Sequence, residues 1–187
     1  MDYIVGIDFG HGETAAWVVP MPNVQTELET KGGDSLRLKN ANNHQDRTLW
    51  SEVFQYADGT FKLYQGTNVR LYSRLKAKIS KLRTDNDRLV AYKEYIRLVI
   101  GELLALNGDL LRWNPDTQTS NFLLCMANPT RWNKEERTEY LNFFNAALYD
   151  DDFNRDNLRL RGLKFEWIIN ESDAAFFSQR FNPKNMN

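Results

Sequence analysis

The chain has 187 residues, of which 42% are hydrophobic and 26% charged, and its net charge is -1. That length suits one domain, or one lobe of a two-lobed protein, with enough apolar residues for a sizeable core. The composition excludes wholesale disorder, collagen and disulfide-rich scaffolds, and the neutral balance gives no general attraction to nucleic acid or anionic lipid. One cysteine, Cys125, allows no intrachain disulfide, and with only two histidines a Cys/His zinc site has too few ligands. The opening Met1-Asp2-Tyr3 carries an acid and no basic segment, unlike a secretory signal, and no apolar run approaches a membrane span. A cytoplasmic protein with no membrane or nucleic-acid partner is expected.

Residues 3–9 predict a buried strand and residues 14–19 a second one, joined by Gly10-His11-Gly12. The chain therefore opens as a hairpin with a glycine-rich tip, ended by Pro20 and Pro22. A third strand is expected around 24–30, with Val24 and Leu28 as its apolar members, then a polar loop from Gly32-Gly33 to about Asp46. Residues 50–56 and 61–65 flank Asp58-Gly59, a hairpin pair. From Asn68 to Leu82 the period changes, and Leu71, Leu75, Ile79 and Leu82 predict one face of a helix. Arg70, Arg74, Lys76, Lys78, Lys81 and Arg83 make that helix basic, which reads as a solvated face over a core stripe rather than a nucleic-acid surface.

Residues 88–106 predict a second helix that stops near Gly108, and residues 109–119 a loop. Residues 121–127 form an apolar run before Asn128-Pro129 and predict a buried strand. Asn133 with Glu136 three residues on is a capping-box signature for a helix reaching about Tyr149. After a loop at Asp150-Asp151-Asp152 come a strand over 164–169 and a last helix from near Ser172. Antiparallel strands followed by strand–helix units predict an α/β domain with a mixed sheet. The five tryptophans read as core and rim, His44 as loop surface, and Cys125 as an inert buried thiol.

Three segments carry candidate chemistry. In Asp8-Phe9-Gly10-His11-Gly12-Glu13-Thr14, an acid ends a buried strand and two glycines open the turn to close approach by an anion. A carboxylate beside an amide cradle suits a magnesium phosphate, although on this segment alone a plain hairpin with an Asp-capped turn is the favoured reading. Asn128-Pro129-Thr130-Arg131-Trp132-Asn133 is a strand-to-helix loop with a good cap. In Trp167-Ile168-Ile169-Asn170-Glu171-Ser172-Asp173-Ala174-Ala175, Glu171 sits at a strand end, where site residues gather, and the helix dipole alone also accounts for acids there.

Taken in order, the three segments resemble the first half of the actin/Hsp70/sugar-kinase ATPase superfamily, most of all the N-terminal lobe of an Hsp70-like nucleotide-binding domain. Gly6-Ile7-Asp8-Phe9-Gly10 resembles its first phosphate loop. Asn128-Pro129-Thr130-Arg131-Trp132-Asn133 with Arg137 resembles an Hsp70 segment, Val-Pro-Ala-Tyr-Phe-Asn with a following Arg. Ile168-Ile169-Asn170-Glu171 with Ala174-Ala175 resembles Ile-Ile-Asn-Glu-Pro-Thr-Ala-Ala.

The resemblance implies a ribonuclease-H-like mixed sheet flanked by helices, with core 1–31 and 109–187 and a smaller α+β subdomain inserted at about 32–108. It implies ATP or ADP with Mg²⁺ as cofactors. Asp8 would hold the hydrated metal, while Gly10, His11 and Gly12 would offer amides to the phosphates. Glu171 would position water, and Lys76 or Lys78 would reach the phosphate. His11 and Gly12 stand where Hsp70 has two threonines, so Thr14 is the remaining hydroxyl candidate. Ser172-Asp173 replaces Pro-Thr, and these departures bear on hydrolysis more than on binding.

The superfamily's second lobe, with its Asp-x-Gly-Gly-Gly-Thr loop, has no counterpart in this sequence. The chain is therefore expected to act as one lobe, inactive as an ATPase alone, its partners being nucleotide and that missing lobe. A client, or self-association through the uncovered face, is a further expectation. Alternatives are a plasmid-segregation-type filament ATPase and a non-catalytic interaction module that keeps the fold.

Overall fold

The computed structural model describes residues 1–21, 33–39, 47–77, 79–129, 131–149 and 160–170. Strand β1 (Tyr3–Phe9) and strand β2 (Glu13–Pro20) form the expected antiparallel hairpin, with Phe9 opposite Thr14 at its tip. Val5, Ile7 and Phe9 are buried, whereas the alternate side chains Ile4 and Asp8 lie on the other face, as the period of two requires.

Strands β3 (Asp34–Ser35) and β4 (Thr48–Trp50) each pair antiparallel with β2. Four further strands follow the inserted region: a small hairpin of β8 (Trp113–Asn114) and β9 (Thr119–Ser120) precedes β10 (Phe122–Asn128), and β11 (Phe165–Asn170) comes last. Strand β10 lies parallel to β1, and β11 parallel to β10. The order is β11-β10-β1-β2-β3, with β4 also on β2, so the protein is mixed α/β with a mixed sheet flanked by helices. Its interior strand β10, between β11 and β1, reads Phe-Leu-Leu-Cys-Met-Ala, the near-continuous apolar run of a strand with parallel neighbours on both sides.

Between β4 and β8 the chain builds a second sheet, β6-β5-β7, from β5 (Glu52–Gln55), β6 (Phe61–Lys62) and β7 (Arg70–Ser73). Its hairpin turns at Asp58-Gly59 as expected: Gly59 takes φ 86°, and Asp58 Oδ1 accepts from Thr60 N and Oγ1 at 2.9 and 2.7 Å. Helices α1 (Ile79–Leu82) and α2 (Asn86–Leu106) follow, and α3 (Lys134–Tyr149) joins β10 to β11. Asp85 caps α2 by accepting from Arg88 N at 3.0 Å. The capping box of α3 is formed, with Glu136 N donating to Asn133 Oδ1 at 2.8 Å and Asn133 N to Glu136 Oε2 at 3.0 Å.

Helices α2 and α3 pack on the same face of the main sheet. There the ring of Phe9 meets Tyr95, Phe144 and Phe165 at centroid distances of 6.4, 4.8 and 6.1 Å. Buried Tyr92 and Tyr140 join their hydroxyls across the helix pair at 2.9 Å. On the opposite face Trp17, Gly6, Cys125 and Trp167 form one cross-strand row, and both tryptophans remain about half exposed among the described residues.

Three expectations need correction. The helix over 68–82 is β7 and a loop before the four-residue α1. Pairing with β5 overrides the apolar spacing, and Arg74, at φ 50°, interrupts any helix there. Leu71, counted on the buried stripe, is 51% exposed. Residues 109–119, expected as loop, hold β8 and the start of β9. The insertion does not begin at residue 32, because β3 and β4 belong to the main sheet; the second sheet starts after Trp50. The strand expected at 24–30 and the last helix from Ser172 lie outside the described residues.

Candidate functional site

The parallel strands β1, β10 and β11 end side by side, with Asp8 near the end of one and Gly10 just after it, Asn128 on the next and Asn170 on the third. Ligands of α/β sheets gather at this carboxyl edge, because strand ends and the loops after them leave backbone groups unpaired there. Asn128 is fully buried; its Nδ2 donates to Pro129 O at 2.9 Å, and its Oδ1 has no hydrogen-bond partner among the described residues.

Asp8 points away from the aromatic core, and its side chain is 60% exposed. Lys76 arrives from the inserted region, between β7 and α1, and brings Nζ to 3.9 Å from Asp8 Oδ1. Its side chain is only 12% exposed, held down by the fully buried Leu75 beside it. Lys78, its alternative, lies outside the described residues, as does Glu171.

His11 and Gly12 are exposed at the hairpin tip. Gly10 is required by the fold: a Cβ there would stand 2.2 Å from the carbonyl oxygen of Glu13, whereas a Cβ on Gly12 would meet nothing within 4 Å. Beneath the tip, Ser51 ties the turn twice. Its Oγ donates to Gly10 O at 2.8 Å, and its N donates to Gly12 O at 2.9 Å.

Thr14 does not face the turn. It is fully buried, with its hydroxyl 2.6 Å from Tyr95 Oη and 3.3 Å from Ser51 Oγ. It leaves the set of expected phosphate contacts, because inward alternation on β2 fixes it in the core. Burial drives the Tyr95 phenol well above its ordinary range, so Tyr95 stays protonated and serves this hydroxyl cluster as a neutral group.

The expected cofactor has a partial counterpart in these donors. Asp8 offers a solvent-facing hard oxygen, as Mg²⁺ needs, and the described residues hold no cluster of three His, Cys, Asp or Glu side chains. A single carboxylate fits a magnesium ion that keeps most of its waters and takes phosphate oxygens as further ligands. Two grooves lie elsewhere: one of about 670 Å³ between the helices, lined by Ile79, Leu89 and Phe143, and one of about 750 Å³ beside Leu98, Gly101 and Trp113.

The basic run divides between elements. Arg70 pairs with Asp87 at 2.8 Å and Arg83 with Glu139 at 2.5 Å, while Lys76 turns to Asp8, so the described residues of the run form no continuous basic helix face. Sequence reasoning missed Ser51, a lone serine between Trp50 and Glu52, with no motif signal of its own. No helix among the described residues is long and apolar enough to cross a membrane. No protein-family model matches the chain, and no curated protein matches it.

Proposed function

We propose that this chain binds the phosphates of Mg-ATP or Mg-ADP at the carboxyl edge of its main sheet, as one lobe of an Hsp70-like or actin-like ATP-binding protein. One observation carries this: Lys76, from the inserted region, reaches 3.9 Å from Asp8, the two charged groups that the resemblance assigns to phosphate and metal. The strand order also supports it. A reversed β2 lies between β1 and β3, and β1, β10 and β11 run parallel, which agrees with a ribonuclease-H-like sheet.

Bound magnesium would supply charge neutralisation for the phosphates. Asp8 would hold it, Lys76 would add a positive charge beside it, and the turn would offer backbone N–H groups to phosphate oxygen. Glu171 is proposed as the water-positioning group. A second lobe would close over this edge and exclude water.

Binding without turnover is the second reading, and the placement of Thr14 favours it. With that hydroxyl held in the core, the turn presents no threonine side chain to a phosphate, where the superfamily uses two.

The test is titration of the 187-residue chain with Mg-ATP and, separately, magnesium pyrophosphate, followed by ³¹P line broadening. Broadening that EDTA and Asp8→Ala both abolish is expected, together with no phosphate release above the buffer control. Equal spectra for wild type and Asp8→Ala would sink the proposal. Release of phosphate that Asp8→Ala abolishes would overturn the expectation that the chain alone is inactive.

A further inference from the structure

Ser51 makes two hydrogen bonds to the hairpin tip, and both go to carbonyls, Gly10 O through Oγ and Gly12 O through N. A trans peptide sets its N–H opposite its C=O, and the described residues contain no cis peptide. Drawing Gly10 O inward onto Ser51 therefore turns the next amide, His11 N–H, outward, away from the core. Among the described residues, none of the loop hydrogen bonds uses that N–H.

We infer that Ser51 is a positioning residue of the anion site: it holds the Gly10-His11-Gly12 turn with the His11 amide aimed at the ligand, without touching the ligand itself. The inference rests on the phosphate-binding reading above and adds to it the residue that sets the turn. Three features suit Ser51 to the task. It is 2% exposed, so its hydroxyl is shielded from water on the protein side of the bond to Gly10 O. It is backed by Thr14 Oγ1 at 3.3 Å, and Thr14 is in turn held by Tyr95 Oη at 2.6 Å. Gly10 itself allows no Cβ, so the tip admits a single close-packed backbone path over Ser51. A preset amide needs no reorganisation when an anion arrives, which is the advantage of preorganised donors.

The experiment is a ¹⁵N–¹H titration of the full chain with Mg²⁺ and inorganic pyrophosphate. In the wild type, the His11 amide proton should move downfield on binding. Ser51→Ala should weaken affinity about tenfold and shrink that shift, because the turn no longer holds its amide outward. Ser51→Thr, which keeps the hydroxyl, should restore both. Tyr92→Phe removes a hydroxyl from the buried Tyr92–Tyr140 pair, which has no part in the Ser51 cluster; it should lower thermal stability and leave affinity and the His11 shift unchanged.

Equal affinity in wild type and Ser51→Ala would overturn the role of Ser51 and leave the phosphate site standing. Parallel losses in Ser51→Ala and Tyr92→Phe would reduce Ser51 to a stabilising contact, which also overturns it. No response of the turn in the wild type would remove the phosphate site, and this inference with it. Should Ser51→Ala not fold, Ser51→Cys carries the same comparison, since it keeps the size and has only a weak S–H donor.

Discussion

Lys76 Nζ stands 3.9 Å from Asp8 Oδ1, with the lysine side chain nearly enclosed and the aspartate mostly in solvent. The separation exceeds that of a hydrogen bond, so the contact is an ion pair without a direct N–H···O bond. An ion pair with one exposed member contributes about 0–1 kcal/mol. Lys76→Met should therefore shift the melting temperature by no more than about 4 °C, while weakening magnesium pyrophosphate binding about tenfold. Thermal denaturation and calorimetric titration measure the two effects. Unchanged affinity would take Lys76 out of the site.

The two glycines of the tip should respond in opposite ways to a methyl group. At Gly10 the added Cβ meets backbone 2.2 Å away, and backbone cannot swing aside as a side chain can. Gly10→Ala is expected to cost about 1–3 kcal/mol, the range of overpacking in a closed site. At Gly12 the space is open, so Gly12→Ala should stay within about 0.5 kcal/mol of wild type. Urea unfolding of the two variants would show the difference, and a larger loss at Gly12 would mean that the tip follows another path.

The elements legible in the sequence were those whose signals are local. The opening hairpin, the Asp58-Gly59 turn, α2, β10 and the capped α3 all follow from periodicity or cap residues within a few positions. Residues 68–82 misled because Leu71, Leu75, Ile79 and Leu82 keep helical spacing across what is a strand, a loop and one turn of helix. Leu75, Ile79 and Leu82 are buried, yet by tertiary packing rather than by one helix face. Strand pairing between Val53 and Tyr72 decided that region, and no local pattern encodes it. Within the proposed site, Asp8, Gly10 and Lys76 were nominated from the resemblance, and the structure brings Lys76 to 3.9 Å from Asp8. Ser51 was not, since its importance comes from β4 lying beside β2. Thr14 was misassigned for a related reason: nearness to the tip in sequence hid the inward direction set by strand alternation.

The capping box of α3 gives a test of local energetics next to the carboxyl edge. Asn133 and Glu136 exchange hydrogen bonds at 2.8 and 3.0 Å, satisfying two amides that the first turn leaves open. Asn133→Ala should cost about 1 kcal/mol, or about 2–4 °C in melting temperature. Asn133→Ser should recover most of the loss, because its hydroxyl also accepts at this position. A neutral alanine variant would show that tertiary packing of Tyr140 and Phe144 alone sets the start of the helix.

Cys125 sits in the sheet row between Gly6 and Trp167, where burial pushes its thiol from 9.0 up to about 11. At pH 8 roughly one molecule in a thousand is then the reactive thiolate, so labelling by a disulfide reagent should be slow in the native protein. The rate should rise about tenfold for each pH unit and level off only near pH 11. The same shift links to folding. Between about pH 9 and about pH 11 the folded chain keeps a proton that the unfolded chain releases, so raising the pH across that window favours unfolding. Stability from this group is complete below pH 9 and declines above it. Cys125→Ala should remove this part of the alkaline loss, which urea titrations at pH 8 and pH 10.5 would reveal as a smaller drop than in wild type. Equal drops, together with rapid native labelling at pH 8, would place the thiol in water rather than between the strands.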